Sequence, residues 1–120
     1  MTNKINMPYN EQLAERVRKV LAPQKKHIEE KKMMGGLTFM LRDKMCVGVL
    51  KDEIMCRIAP EIHEMAIKKK GCRTMDFTKK PMKGFVFVNP SGTSSEKDLN
   101  YWIGLSVDFN AKAKPSKKKK

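Results

Sequence analysis

Five side chains here are of the types that perform nucleophilic or metal chemistry: Cys46, Cys56 and Cys72, with His27 and His63. Cysteine catalysis needs a thiolate of lowered pKa beside an imidazole, yet Cys46 and Cys56 stand in apolar runs, where burial favours the neutral thiol. Zinc sites draw on closely spaced ligand pairs, and Cys56, His63 and Cys72 have no such spacing. Three cysteines without a Cys-x-x-Cys pair suit a reducing compartment and read as small buried hydrophobes. The acidic residues occur singly or in turns, so no general acid and base pair is visible. Ser91-Gly92-Thr93-Ser94-Ser95 could offer backbone N–H groups to an anion, but it lacks the Gly-Lys-Ser/Thr ending of a nucleotide-phosphate loop and reads as a helix cap. No catalytic centre, metal or cofactor is expected, and the chain is read as a non-enzyme.

A second chemistry, base stacking with phosphate contact, is suggested by Lys83-Gly84-Phe85-Val86-Phe87-Val88, which resembles the start of the RNA-recognition-motif octapeptide. Val86 stands where that motif has Gly or Ala, Pro90 stands where its last aromatic belongs, and the order of elements is not β-α-β-β-α-β. The stretch reads as a core strand. Charge points the same way more broadly: 26 Lys and Arg against 13 Asp and Glu give a net +13. Residues 112–120, Lys-Ala-Lys-Pro-Ser-Lys-Lys-Lys-Lys, hold six of the positive charges and no negative one, so the block repels itself, has nothing to bury, and reads as a disordered tail. The candidate nucleic-acid contacts are Arg73, Lys79, Lys80 and Lys83, with Lys117, Lys118, Lys119 and Lys120 of the tail. They would meet the phosphates of DNA or RNA without reading sequence.

The elements that would position these residues follow from the hydropathy pattern. Asn10 caps a helix over Glu11 to Ala22, whose Leu13, Val17, Val20 and Leu21 form one stripe, and Pro23 ends it. Gln24 to Lys32 is polar and charged and reads as a connection or a further helical turn. Gly35-Gly36 then opens three apolar runs, Leu37 to Leu41, Met45 to Leu50 and Ile54 to Ala59, separated by Arg42-Asp43-Lys44 and Lys51-Asp52-Glu53: a three-strand meander. A three-residue loop at 42–44 sets Leu41, Phe39 and Leu37 opposite Met45, Val47 and Val49, and a two-residue loop at 51–52 sets the latter opposite Ile58, Cys56 and Ile54. This register puts Cys46 and Cys56 on opposite faces. Pro60 opens a middle helix to Lys70, with Ile62, Met65 and Ala66 as its stripe, Lys68 to Lys70 complementing its dipole and Gly71 as its stop. Thr74 to Phe77 is a candidate edge strand and Gly84 to Asn89 a strand. Ser95, with Asp98 three residues on, caps a final helix to about Ala111.

The final helix carries Leu99, Trp102, Ile103, Ser106 and Val107 on one stripe and Tyr101, Leu105 and Phe109 on a second, so it needs two partners. One is the sheet, and the other is the first helix or a second copy of the chain. Tyr101, Leu105 and Phe109 are the candidate homodimer interface. No run approaches the ~18 apolar residues of a membrane span, and residues 1–22 lack the apolar core of a secretory signal. A cytoplasmic protein with no membrane partner is expected. Its parts are an N-terminal extension over residues 1–9, one domain over 10–111 and the tail over 112–120, with 120 residues enough to bury a core.

The order of short motifs carries a family resemblance. A leading helix, the turn Met34-Gly35-Gly36, the meander with Lys44-Met45 after its first turn, a strand-Pro-helix step, then Lys80-Pro81-Met82, a strand and a closing helix resemble the TfoX/Sxy N-terminal domain over roughly residues 12–111. Arg42-Asp43 stands where that family often has Asp-Gly, and Met34 where an aromatic is common. The resemblance implies an α+β domain with an antiparallel sheet, the meander plus one or two further strands, and N-terminal, middle and C-terminal helices. It gives Met34, Gly35, Gly36, Pro81 and Met82 structural roles, and brings no catalytic residue. The family occurs in bacterial regulators linked to DNA-uptake competence and as stand-alone domains, so the expected function is a regulatory or interaction module with a protein partner or itself. The alternative is a sequence-independent nucleic-acid binder.

Overall fold

A computed structural model describes residues 9–33, 35–75 and 82–113. Met34, Lys79, Lys80, Pro81 and the tail lysines Lys117, Lys118, Lys119 and Lys120 lie outside the described residues. So do residues 1–8 of the extension, Asp76 and Phe77 of the edge strand, and the side chain of Met82.

Helix α1 spans Glu11–Leu21, its first turn closed by Asn10, whose side chain accepts the Leu13 N–H at 3.0 Å. Leu13, Ala14, Val17 and Leu21 are buried along one side, as the spacing requires. Pro23 does not end the helical course at once, because a 3₁₀ segment over Ala22–His27 takes the proline into its first turn. The chain then becomes a strand that the sequence pattern did not indicate, β1 over Ile28–Met33, paired antiparallel with β2 over Gly36–Leu41. As an edge strand it has one neighbour, and charged residues there deter pairing with other chains, which is why Glu-Glu-Lys-Lys reads as loop and folds as sheet.

Strands β3 (Lys44–Leu50) and β4 (Glu53–Arg57) complete the expected meander. The first turn differs from expectation. Arg42 and Asp43 both take positive φ, 52° and 67°, forming a two-residue turn of the mirror-image type that pairs Leu41 with Lys44. Met40 then faces Met45 and Phe39 faces Val47, so Cys46 is the extra residue of a β-bulge. The bulge restores the expected Phe39 and Leu37 pairings, and it turns Cys46 to the same buried face as Cys56, not the opposite one. The second turn has the expected register, Val49 opposite Ile54 and Val47 opposite Cys56.

The middle helix is shorter than its stripe suggested. A 3₁₀ turn over Pro60–Ile62 leads into α2, His63–Ala66, and Lys68 and Lys69 continue only as tight turns, their N–H groups bonded to Met65 and Ala66 carbonyls. Met65 is 58% exposed and His63 is buried in its stead. Lys68 to Lys70 therefore lie beyond α2 and do not complement its dipole. Strand β5 (Cys72–Met75) and strand β6 (Met82–Val88) follow, with β6 inserted between β4 and β5. The antiparallel sheet thus has six strands in the order β1-β2-β3-β4-β6-β5, three beyond the meander. Asn89 caps the short α3 (Pro90–Thr93) by accepting the Ser91 N–H at 2.9 Å, and Ser95 caps α4 (Glu96–Asn110) by accepting that of Asp98 at 3.0 Å.

Helices α1 and α4 cover one face of the sheet. Phe39, Ile54, Ile58, Val86, Val88, Leu99 and Ile103 are fully buried there, and each such side chain contributes about 1.5–3 kcal/mol of transfer free energy. Met55, Met75 and Phe87 form a second cluster on the other face, with Met45, Leu50 and Phe85 against it. Side-chain contacts fix the helices: Arg16 donates to the Thr93 carbonyl at 2.9 Å, Asn110 to that of Leu41 at 3.1 Å, and Lys44 to that of Asn110 at 3.0 Å. Among the described residues no helix is long and apolar enough to cross a membrane.

Candidate functional site

The thiols are held by the fold as hydrophobes. Cys46 and Cys56 lie in the main core and Cys72 packs against it half-buried, all three free. Burial pushes the Cys46 thiol up to about 12 and Cys72 to about 11, and it drives Cys56, wholly enclosed, higher still. A nucleophilic thiolate needs the opposite shift. His63 is equally committed: Nδ1 accepts the Gly84 N–H at 2.8 Å and Nε2 lies 2.9 Å from Thr74 Oγ1. Since Nδ1 accepts, the proton of the neutral ring is on Nε2, which donates to the hydroxyl. The imidazole joins α2 to both β5 and β6. It holds the N–H of Gly84, whose φ is +90° and whose carbonyl accepts the Ile58 N–H at 2.8 Å. Among the described residues no three His, Cys, Asp or Glu side chains converge as metal ligands would.

At the turn Ser91 to Ser95 the first two N–H groups, those of Ser91 and Gly92, are engaged within the chain. Asn89 takes those of Ser91 through its side chain and Gly92 through its carbonyl, and Ser95 takes that of Asp98. Capping is its structural role.

Of the candidate phosphate contacts, Arg73 and Lys83 are among the described residues, on the neighbouring strands β5 and β6. Arg73, on β5, is bonded to Glu53 at 2.8 Å and lies 4.8 Å from the centre of the Phe87 ring. Lys83 is exposed on β6. The two phenylalanines of the octapeptide-like stretch point to the face away from the helices. Phe87 is 4% exposed beneath Arg73, and the guanidinium of Arg57 stands 5.5 Å from Phe85 and 5.9 Å from Phe109. A base platform needs free ring faces, whereas these rings are capped by arginines.

The second stripe of α4 divides. Tyr101 is 41% exposed, its ring edge-on to Trp102 with centroids 5.2 Å apart. Leu105 packs partly against the domain's own core, and Phe109 is half-buried beside Arg57. α4 does contact two partners within the chain, the sheet and α1.

One corner escaped the sequence reading. The lysine turn after α2, the start of α3 and the first turns of α4 border an open cavity of about 340 Å³ lined by Lys69, Lys70, Lys97 and Tyr101. Its only signal in sequence was the Lys-Lys-Lys-Gly run at 68–71.

Two comparisons return nothing: no curated protein and no solved structure matches the chain. A third does: the sequence model of the TfoX N-terminal domain matches residues 19–110.

Proposed function

The chain belongs to the TfoX N-terminal domain family, and from that membership we propose that it is a cytoplasmic regulatory or interaction module that performs no catalysis. The family match over residues 19–110 is the observation that carries the reading. Two further observations support it. The thiols are shifted away from reactivity, and the one buried imidazole has both nitrogens bonded inside the fold. The partner is a protein, which includes a second copy of the chain through the exposed side of α4 at Tyr101. The test compares cells with and without the gene by transcript and metabolite profiles, alongside sedimentation of the purified protein. The reading expects a coherent group of transcripts to shift. Unchanged transcripts with one accumulating metabolite, restored by the wild type and not by Cys56→Ser, would replace the module with an enzyme.

The net charge of +13 favours a second reading, a nucleic-acid binder that neutralises phosphates without reading bases. Arg73 contributes little to it while bonded to Glu53, so the weight falls on the terminal lysines.

A further inference from the structure

Lys68, Lys69 and Lys70 have no helix dipole to complement, because α2 ends at Ala66. What the turn does have is a fixed position. At Gly71, φ is +82° and an added Cβ would lie 2.6 Å from Asn89 Oδ1 and 2.7 Å from the Gly92 nitrogen, while one on Gly92 would lie 2.6 Å from Val88 Cγ1. Two backbones touch through their glycines, so the lysine turn is clamped against the approach to α4. Side chains larger than hydrogen would pry it away.

Across the gap α4 presents Lys97 and Tyr101. Lys69 Nζ lies 5.0 Å from the centre of the Tyr101 ring, and Lys69, Lys70 and Lys97 are exposed around the cavity of about 340 Å³, with Trp102 in its wall. One carboxylate, Asp98, shares the rim. Among the described residues none of the three lysines has an ion-pair partner. Like charges gathered without a counterion repel one another, and an anion in the gap reverses the sign of that interaction. The backbone N–H groups of Ser91 and Gly92 are already engaged, so the anion is held by ammonium groups alone.

We propose that this corner binds a small phosphorylated ligand of nucleotide size, with its phosphate among Lys69, Lys70 and Lys97 and its flat ring against Tyr101. Phosphate fits three donors better than a carboxylate does, since it carries more charge and more acceptor oxygens. Cavity size favours a single nucleotide over a strand, for the space lies at the small end of ordinary ligand pockets. Tyr101 is 41% exposed and Lys69 stands over one face of its ring, so the ligand's ring takes the face that Lys69 leaves open. Such a site would add a small-molecule input to the proposed module, and its absence would leave that module standing.

The chain carries its own reporter, because Trp102 is its one tryptophan and touches Tyr101 edge-on at 5.2 Å. The full chain is titrated with AMP, ATP, inorganic phosphate and a short single-stranded oligonucleotide while tryptophan fluorescence is followed. Saturable changes with AMP or ATP are expected, with inorganic phosphate weaker. Lys97→Glu and Lys69→Glu should each weaken the nucleotide by about tenfold or more, with thermal midpoints unchanged because both side chains are exposed. Tyr101→Ala should weaken AMP and leave inorganic phosphate as it was. No saturation by about 10 mM nucleotide, above the weakest useful range, overturns the proposal. So does nucleotide affinity indifferent to both lysine variants, or binding of the oligonucleotide alone.

Discussion

At the scale of single residues, His63 is hydrogen-bonded and the three thiols are packed within the fold, and their removal should register as stability. His63→Ala leaves the Gly84 N–H without its acceptor in a buried place, which costs about 1–3 kcal/mol, and the lost packing brings the total to about 2–4 kcal/mol. Urea denaturation followed by circular dichroism measures it; a loss below about 0.5 kcal/mol would mean that the imidazole bonds contribute nothing net. The thiols give a pH signature. Their folded-state values are raised from 9.0, to about 11 for Cys72 and about 12 for Cys46, so the unfolded chain releases their protons first. The stabilisation is complete below pH 9 and lost as pH rises from 9 through the folded values of about 11 and 12. A triple Cys→Ala variant should therefore show a shallower loss of stability above pH 9 than the wild type; equal slopes would assign the loss to other groups. The sequence showed that Cys46 and Cys56 sit in apolar strands. It could not show which way Cys46 points, because Met45 and Cys46 are both apolar and either fits the core side of a bulge. Nor could it supply the partners of His63, which lie 11 and 21 residues along the chain.

Elements were legible in proportion to their hydrophobic contrast. The meander, α1 and α4 alternate cleanly or carry stripes, and their caps are named by Asn10 and Ser95. β1 has no contrast: its backbone bonds to β2 make it a strand, and of its six side chains only Ile28 packs against the core. α2 carried a misleading stripe, since Met65 belongs to it by spacing and faces solvent, 58% exposed. The Arg42-Asp43 turn is where local sequence and fold conflict most. Both residues take positive φ, for which Asn-Gly or Asp-Gly is favoured and for which a long side chain such as Arg42 is poorly suited. Replacing the pair by Asn-Gly should stabilise the protein by about 1–2 kcal/mol. No change in the denaturation midpoint would mean that the turn relaxes at no cost. The Met-Gly-Gly motif predicts the opposite sign. At Gly36 an added Cβ would run into the Val49 carbonyl, so Gly36→Ala disturbs the β2–β3 pairing itself, while at Gly35 the demand is a φ of +77°. Gly36→Ala should be the more damaging of the two, because Gly35→Ala costs only about 1 kcal/mol of backbone strain.

For the whole molecule, the question is whether the charge of +13 acts through the folded body or through its end. Five of the 26 cationic side chains lie in residues 114–120, with no acidic residue beside them. The described residues end at Ala113, which is 6% exposed and whose N–H bonds to the Phe109 and Asn110 carbonyls, so a cut after Ala113 keeps these contacts. If the terminal lysines bind duplex DNA, they release one counterion per phosphate neutralised, and the slope of log affinity against log salt is about −0.9 for each. Removing five contacts should then flatten the slope by about 4 to 5. In the same truncated chain, nucleotide binding at Lys69, Lys70 and Lys97 should persist, because the described residues that line the corner belong to the turn after α2, to α3 and to α4. Gel shifts over a salt series, run beside the fluorescence titration, separate the two. A slope that survives truncation would place DNA on the folded surface, and its further loss in Lys97→Glu would make the nucleotide corner part of a longer strand-binding path.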